Sequence, residues 1–118
     1  MEVLLGVDGT DGSLWALDRV TERVAATGDE LTVAIADGGG ETDLEARVRE
    51  AVDRAGLDAA VRRLDGDLGS ALVNVAESEG FDRLVVGGGE RSPMGKIELS
   101  QETQFVLLNA ETSVTLVR

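Results

Sequence analysis

The 118-residue chain contains no cysteine, no histidine and no tyrosine. Without cysteine there is no disulfide, no thiolate nucleophile and no cysteine-based metal site. Without histidine the commonest general base and metal ligand is missing. Proline occurs once and tryptophan once, and lysine only at Lys96. No apolar run approaches the roughly 20 residues a membrane span needs, so no membrane partner is expected. The N-terminus lacks the basic patch, apolar stretch and cleavage site of a signal peptide, and a cytoplasmic location is the expectation.

Acidic residues are abundant. Asp and Glu number 23 against 11 Lys and Arg, a formal charge of −12. Such a field repels phosphate polyanions, so a nucleic-acid partner is not expected. The balance has two readings: ordinary solubility, or a high-salt cytoplasm where self-repulsion is screened over about 3 Å at 1 M salt.

Strand-like and helix-like segments alternate. Glu2 to Val7 (EVLLGV) reads as a buried strand. Leu14, Leu17, Val20 and Val24 recur at helical spacing, with Gly28 as a stop. Leu31 to Ala36 reads as a second strand, and Asp37 to Gly40 as a turn. Thr42 and Glu45 have capping-box spacing before a helix that Gly56 ends. Asp58 to Leu64 reads as a polar edge strand, and Leu68 to Ala76 as a third helix closed by Gly80. Asp82 to Val86 is the fourth strand. A Gly-rich charged loop (Gly87 to Leu99), a helix (Ser100 to Ala110) and a last strand (Ser113 to Val117) follow.

Strands separated by helices cannot pair as hairpins. A single domain over residues 1–118 is expected, an α/β doubly wound five-stranded parallel sheet in the order 3-2-1-4-5 with helices on both faces. Ligands of such sheets bind at the carboxyl ends of the strands where the winding reverses, here between the first and fourth strands. That places Asp8, Gly9 and Thr10 opposite Gly87, Gly88 and Gly89.

Each candidate has a functional and a structural reading. Asp8 lines the crevice or serves the Asp-Gly turn. The glycines Gly87 and Gly88 admit a phosphate to backbone N–H groups, or supply positive φ in a loop. Ser100 offers a helix N-terminus to an anion, or caps the helix. Lys96 after Gly95 invites a P-loop reading, but Glu90 and Ile97 stand where glycine and a hydroxyl residue are required. Trp15 reads as a core or interface aromatic. No catalytic constellation is present, and an enzyme is not expected.

Three segments carry a resemblance. VDGTDGSLWAL (Val7 to Leu17) resembles the opening of universal stress proteins. LTVAIAD resembles their second strand. VVGGGERSPMGKIELSQETQFVLLNAETSVTLVR resembles their C-terminal third, with the loop common in salt-loving archaeal members. The resemblance implies an adenine nucleotide alpha hydrolase-like fold, a role in stress response, and ATP or AMP as candidate ligand. It also implies a homodimer through the C-terminal strand Ser113 to Arg118. Members that hold ATP carry G-x-x-G, nine residues, then G-[ST]. On this chain those positions are Gly87, Glu90, Ser100 and Gln101, and only the first matches. Glu98 and Glu102 flank the same corner and add negative charge where a phosphate would sit. Asp8 and Ile35 match positions beside adenine and ribose. The resemblance therefore implies a member with weak or lost ATP binding; a genuine ATP- or AMP-binding member is the alternative, and a nucleotide hydrolase or transferase on the same fold a third.

Overall fold

The computed structural model describes residues 1–36, 42–87, 90–91 and 97–117. The elements run β1 (Glu2–Val7), α1 (Asp11–Thr27), β2 (Glu30–Ala36), α2 (Thr42–Arg54), β3 (Ala60–Leu64), α3 (Leu68–Ser78), β4 (Arg83–Gly87), β5 (Glu90–Arg91), β6 (Ile97–Glu98), α4 (Gln101–Asn109) and β7 (Ser113–Val117). The main sheet is parallel throughout in the order β3-β2-β1-β4-β7, the winding expected from the alternation of strands and helices.

The strand period of two sorts side chains into two cores. Val3, Leu5 and Val7 join Val33 and Ile35 beneath α1 and α2, with Leu17, Val20 and Val48 as their cover. Leu4, Ala34, Leu84 and Val86 face the other way, under Leu68 and Leu72 of α3 and Val106 of α4. Leu4, Leu5 and Val7 are wholly buried. A central strand covered on both faces has no need of a polar alternation, which is why β1 reads as one apolar run.

Three local readings need correction. The segment after β4, expected to be a loop, contains a small antiparallel ladder in which Glu90 pairs with Glu98 and Arg91 with Ile97. Two-residue strands are too short to show a period. Of the two readings of Trp15, core or interface aromatic, the first is excluded: it is half exposed, and Arg19, one turn on, lies over its ring at 5.5 Å. Gly87 does not have positive φ; it is needed because the chain passes too close for a side chain. Glu45, at the capping-box position of α2, also reaches beyond its own helix. It accepts from Arg63 Nε at 3.1 Å, and that bond holds its carboxyl below the usual carboxylate range. The expectations on Asp37 to Gly40, Gly88, Gly89, Lys96 and Arg118 fall outside the described residues. No helix among the described residues is long and apolar enough to cross a membrane.

Candidate functional site

At the carboxyl ends of β1 and β4 the winding reverses, α1 leaving on one face and α4 on the other. A cleft of about 240 Å³ opens there. Asp8, Thr10 and Ser13 line one wall, Leu68 and Leu72 of α3 the apolar side, and Gly87, Ser100, Glu102 and Thr103 the opposite wall. Gly6 contributes floor: a Cβ on it would lie 2.4 Å from Leu72 Cδ1, so the absent side chain is what leaves Leu72 its place.

The Asp8 wall is a closed set of short-range bonds. Asp8 Oδ1 accepts from the Thr10 main-chain N–H (3.0 Å) and from its hydroxyl (2.7 Å). Thr10 caps α1, its Oγ1 accepting from the Ser13 N–H at 3.2 Å. Ser13 Oγ in turn accepts from the Asp8 N–H at 2.9 Å. Asp8 therefore satisfies both of its readings: it turns the chain into α1, and it lines the cleft.

The opposite wall is tied by hydroxyls. Ser100 caps α4, its Oγ accepting from the Thr103 N–H at 3.2 Å. The same hydroxyl donates to Thr103 Oγ1 (3.0 Å), and Thr103 donates to the Gly87 carbonyl (3.1 Å). Thr103 is only 4% exposed, so this chain fixes the N-terminus of α4 against the end of β4. A Cβ at Gly87 would lie 2.7 Å from the Gly12 carbonyl oxygen and 2.9 Å from Ser13 Cα. The two walls are thus set by backbone contact across the switch point.

Of the candidate residues, Asp8, Gly87 and Ser100 are brought together in this cleft. Gln101 is exposed and does not line it; Glu102 does. Ile35 is 1% exposed and packs in the core beneath α1 and α2, so its side chain is not in the cleft. Gly88 lies outside the described residues. Ser13 and Thr103 are cleft residues that sequence reasoning does not single out. The T-x-x-S spacing of Thr10 and Ser13 is the signal available for the first.

Two carboxylates, Asp8 and Glu102, therefore border one small cleft. A unit charge about 4 Å from another interacts by about 1 kcal/mol in water and about 4 kcal/mol at an effective dielectric of 20. The N-terminus of α4 offsets this by about 0.3–1 kcal/mol toward an anion.

A model of the universal stress protein family matches residues 35–118. The chain belongs to the universal stress protein family. Solved structures agree over the whole length. A universal stress protein whose crystal structure is in complex with cAMP is 31% identical, with a TM-score of 0.77, and the match covers 100% of this chain and 96% of that one. A protein from Mycobacterium tuberculosis H37Rv is 30% identical, with a TM-score of 0.62 and coverage of 99% and 94%. A universal stress protein from Archaeoglobus fulgidus is 20% identical, with a TM-score of 0.69 and coverage of 100% and 98%, and supports the fold alone. No curated protein matches the chain in sequence. The family model begins at Ile35, so the VDGTDGSLWAL opening of this universal stress protein lies outside it, whereas the structural matches include it.

Proposed function

We propose that this universal stress protein is a dimeric binding module, without turnover, whose cleft takes the nucleoside part of an adenine mononucleotide and has weak or lost affinity for ATP. The observation that carries this reading is the pair Asp8 and Glu102 on opposite sides of a cleft of about 240 Å³. That volume is below the roughly 300–1,000 Å³ usual for small-molecule pockets. Asp8 Oδ2 has no protein partner among the described residues and remains for a ribose hydroxyl. Ser100 already spends its hydroxyl on Thr103, so a phosphate arriving there competes with the cap of α4. Glu90 stands where ATP-holding members have glycine. The 31%-identical structure in complex with cAMP supports a single-phosphate adenine ligand over a triphosphate.

The test is a titration of cAMP, AMP and ATP into the protein at high potassium chloride, followed by amide shifts. The mononucleotides are expected to bind at least about tenfold more tightly than ATP, a difference of about 1.4 kcal/mol. Micromolar ATP affinity overturns the reading. The triple change Glu90→Gly, Ser100→Gly and Gln101→Ser is expected to strengthen ATP binding; no gain means the phosphate corner lies elsewhere.

A further inference from the structure

The sheet is not covered evenly. On one face α1 lies over β1 and β4 and α2 over β2 and β3, while α3 and α4 pack on the other face. On that first face α1 packs mainly against β1 and β4 and reaches the edge strand β7 least. A groove of about 690 Å³ lies there, between α1 and the strands, with Val3 and Val85 at its base. It lies on the other face of the sheet from Leu68 and Leu72 of the cleft, mostly toward the amino ends of the strands.

Three arginines reach this groove: Arg19 and Arg23 from α1 and Arg83 from β4. Their electrostatic situation differs from that of their counterparts. Arg47, Arg49, Arg54, Arg62 and Arg63 each lie within 4.0 Å of a carboxylate. Among the described residues Arg19, Arg23 and Arg83 make no such pair. Arg19 lies over the Trp15 ring, and Arg83 donates to the Thr115 hydroxyl at 2.5 Å. Among the arginines whose side chains are described, these three have no carboxylate within 4.0 Å, and all three line one groove. Glu22 and Asp29 also border it. Asp29 accepts from the Thr27 hydroxyl at 2.8 Å and lies 3.4 Å from the N-terminal ammonium; with a longer-range contribution from Arg23, these hold its carboxyl below the usual carboxylate range.

We propose that this groove is a second binding site, for a compact multivalent oxyanion, either an organic phosphate or a polycarboxylate. Guanidinium groups match both by paired N–H donors in a fixed fork. Arg19 and Arg23 are four residues apart on one helix face, a rise of about 6 Å, which suits two anionic groups on one small molecule. Val3 and Val85 are each 4% exposed and form an apolar base that strengthens charge-assisted bonds above it. Thr115 adds a hydroxyl beside Arg83.

The experiment titrates citrate and inorganic pyrophosphate separately into the full chain and follows the arginine Nε–Hε resonances. It is run at about 0.15 M salt, where charges are screened over about 8 Å. Shifts at Arg19, Arg23 and Arg83 are expected, with tighter pyrophosphate binding assigning an organic phosphate and tighter citrate binding a polycarboxylate. The double change Arg19→Gln and Arg23→Gln keeps helix propensity and is expected to weaken binding at least tenfold while leaving cAMP affinity unchanged. Arg83→Gln, from a different element, is expected to weaken it as well, with unaltered melting showing that the fold is intact. Absence of shifts, or affinity retained in the variants, overturns the proposal. So does tighter binding of a hexaglutamate peptide, which makes the occupant an acidic protein segment. A dimer fraction that falls in the double variant without any anion effect also overturns it, because the groove is then filled by a second copy.

Discussion

Replacing Gly87 by alanine tests whether the two walls of the cleft are set by backbone contact. The new Cβ would meet the Gly12 carbonyl oxygen at 2.7 Å, the Gly12 carbonyl carbon at 2.9 Å and Ser13 Cα at 2.9 Å. All three are main-chain atoms at the start of α1, so no side-chain rotation relieves the crowding. Overpacking of this kind typically costs about 1–3 kcal/mol, and the upper end applies where backbone must move. The restricted unfolded chain returns about 0.4–1 kcal/mol. A net loss of about 2 kcal/mol is expected, or about 6–12 °C in melting temperature for a chain of this size. Gly28→Ala is the control. Gly28 has φ +78° and nothing within 4 Å of a Cβ, so its cost is conformational alone, about 1–2 kcal/mol, and remote from the cleft. Urea unfolding at constant m-value measures both. Gly87→Ala is also expected to weaken cleft ligands, because moving α1 disturbs the Asp8–Ser13 bond; Gly28→Ala is not. A loss under about 0.5 kcal/mol at Gly87, with ligand affinity intact, refutes the argument.

Two further outcomes follow from charge and from the free edge. With a net charge of −12, the melting temperature is expected to rise between about 0.1 and 2 M potassium chloride as self-repulsion is screened; an unchanged or lower midpoint excludes repulsion as a major influence on stability. The strand β7 borders the sheet with five residues that include neither proline nor a charge, so light scattering at high salt is expected to find a dimer, and a monomer at tens of micromolar refutes it.

The sheet was legible because its evidence is distributed. Strands separated by helices force parallel pairing, and handedness then leaves few orders. The switch point followed, and with it Asp8 and Gly87. Individual side chains at the site were less legible because their positions depend on phase. Gln101 and Glu102 differ by one residue, but about 100° of rotation at the first turn of α4 leaves one exposed and places the other in the cleft wall. Ile35 is adjacent in sequence to residues near the cleft end of β2, yet the strand period turns it to the opposite face with Val7, its register partner. The Ser100–Thr103–Gly87 chain was invisible for another reason: hydroxyl residues suit caps, turns and solvent alike, and only the close approach of α4 to β4 selects among them. Of the core and interface readings of Trp15, the core one fails because it lies on the α1 surface with Arg19 above it; large apolar residues favour burial, and the sequence alone does not say on which surface.

The charges of the two regions bear on how any nucleotide measurement is read. The cleft at the carboxyl ends of β1 and β4 carries Asp8 and Glu102, and the groove over β4 and β7 carries Arg19, Arg23 and Arg83. A nucleotide presents two parts with opposite preferences: a neutral base and ribose suited to the cleft, and phosphates suited to the arginines. If the groove binds oxyanions as proposed, a nucleotide with more phosphates is expected to be drawn to it more strongly. Heat or a change in melting temperature on adding ATP therefore does not by itself report the cleft. Only a signal assigned to a residue separates the two. Shifts at Asp8, Thr10 and Thr103 would report the proposed nucleoside site, and shifts at the arginine side chains the proposed anion site. With the groove arginines changed to glutamine, residual ATP binding measures what the cleft retains, and the difference from the unaltered chain measures what the groove supplies.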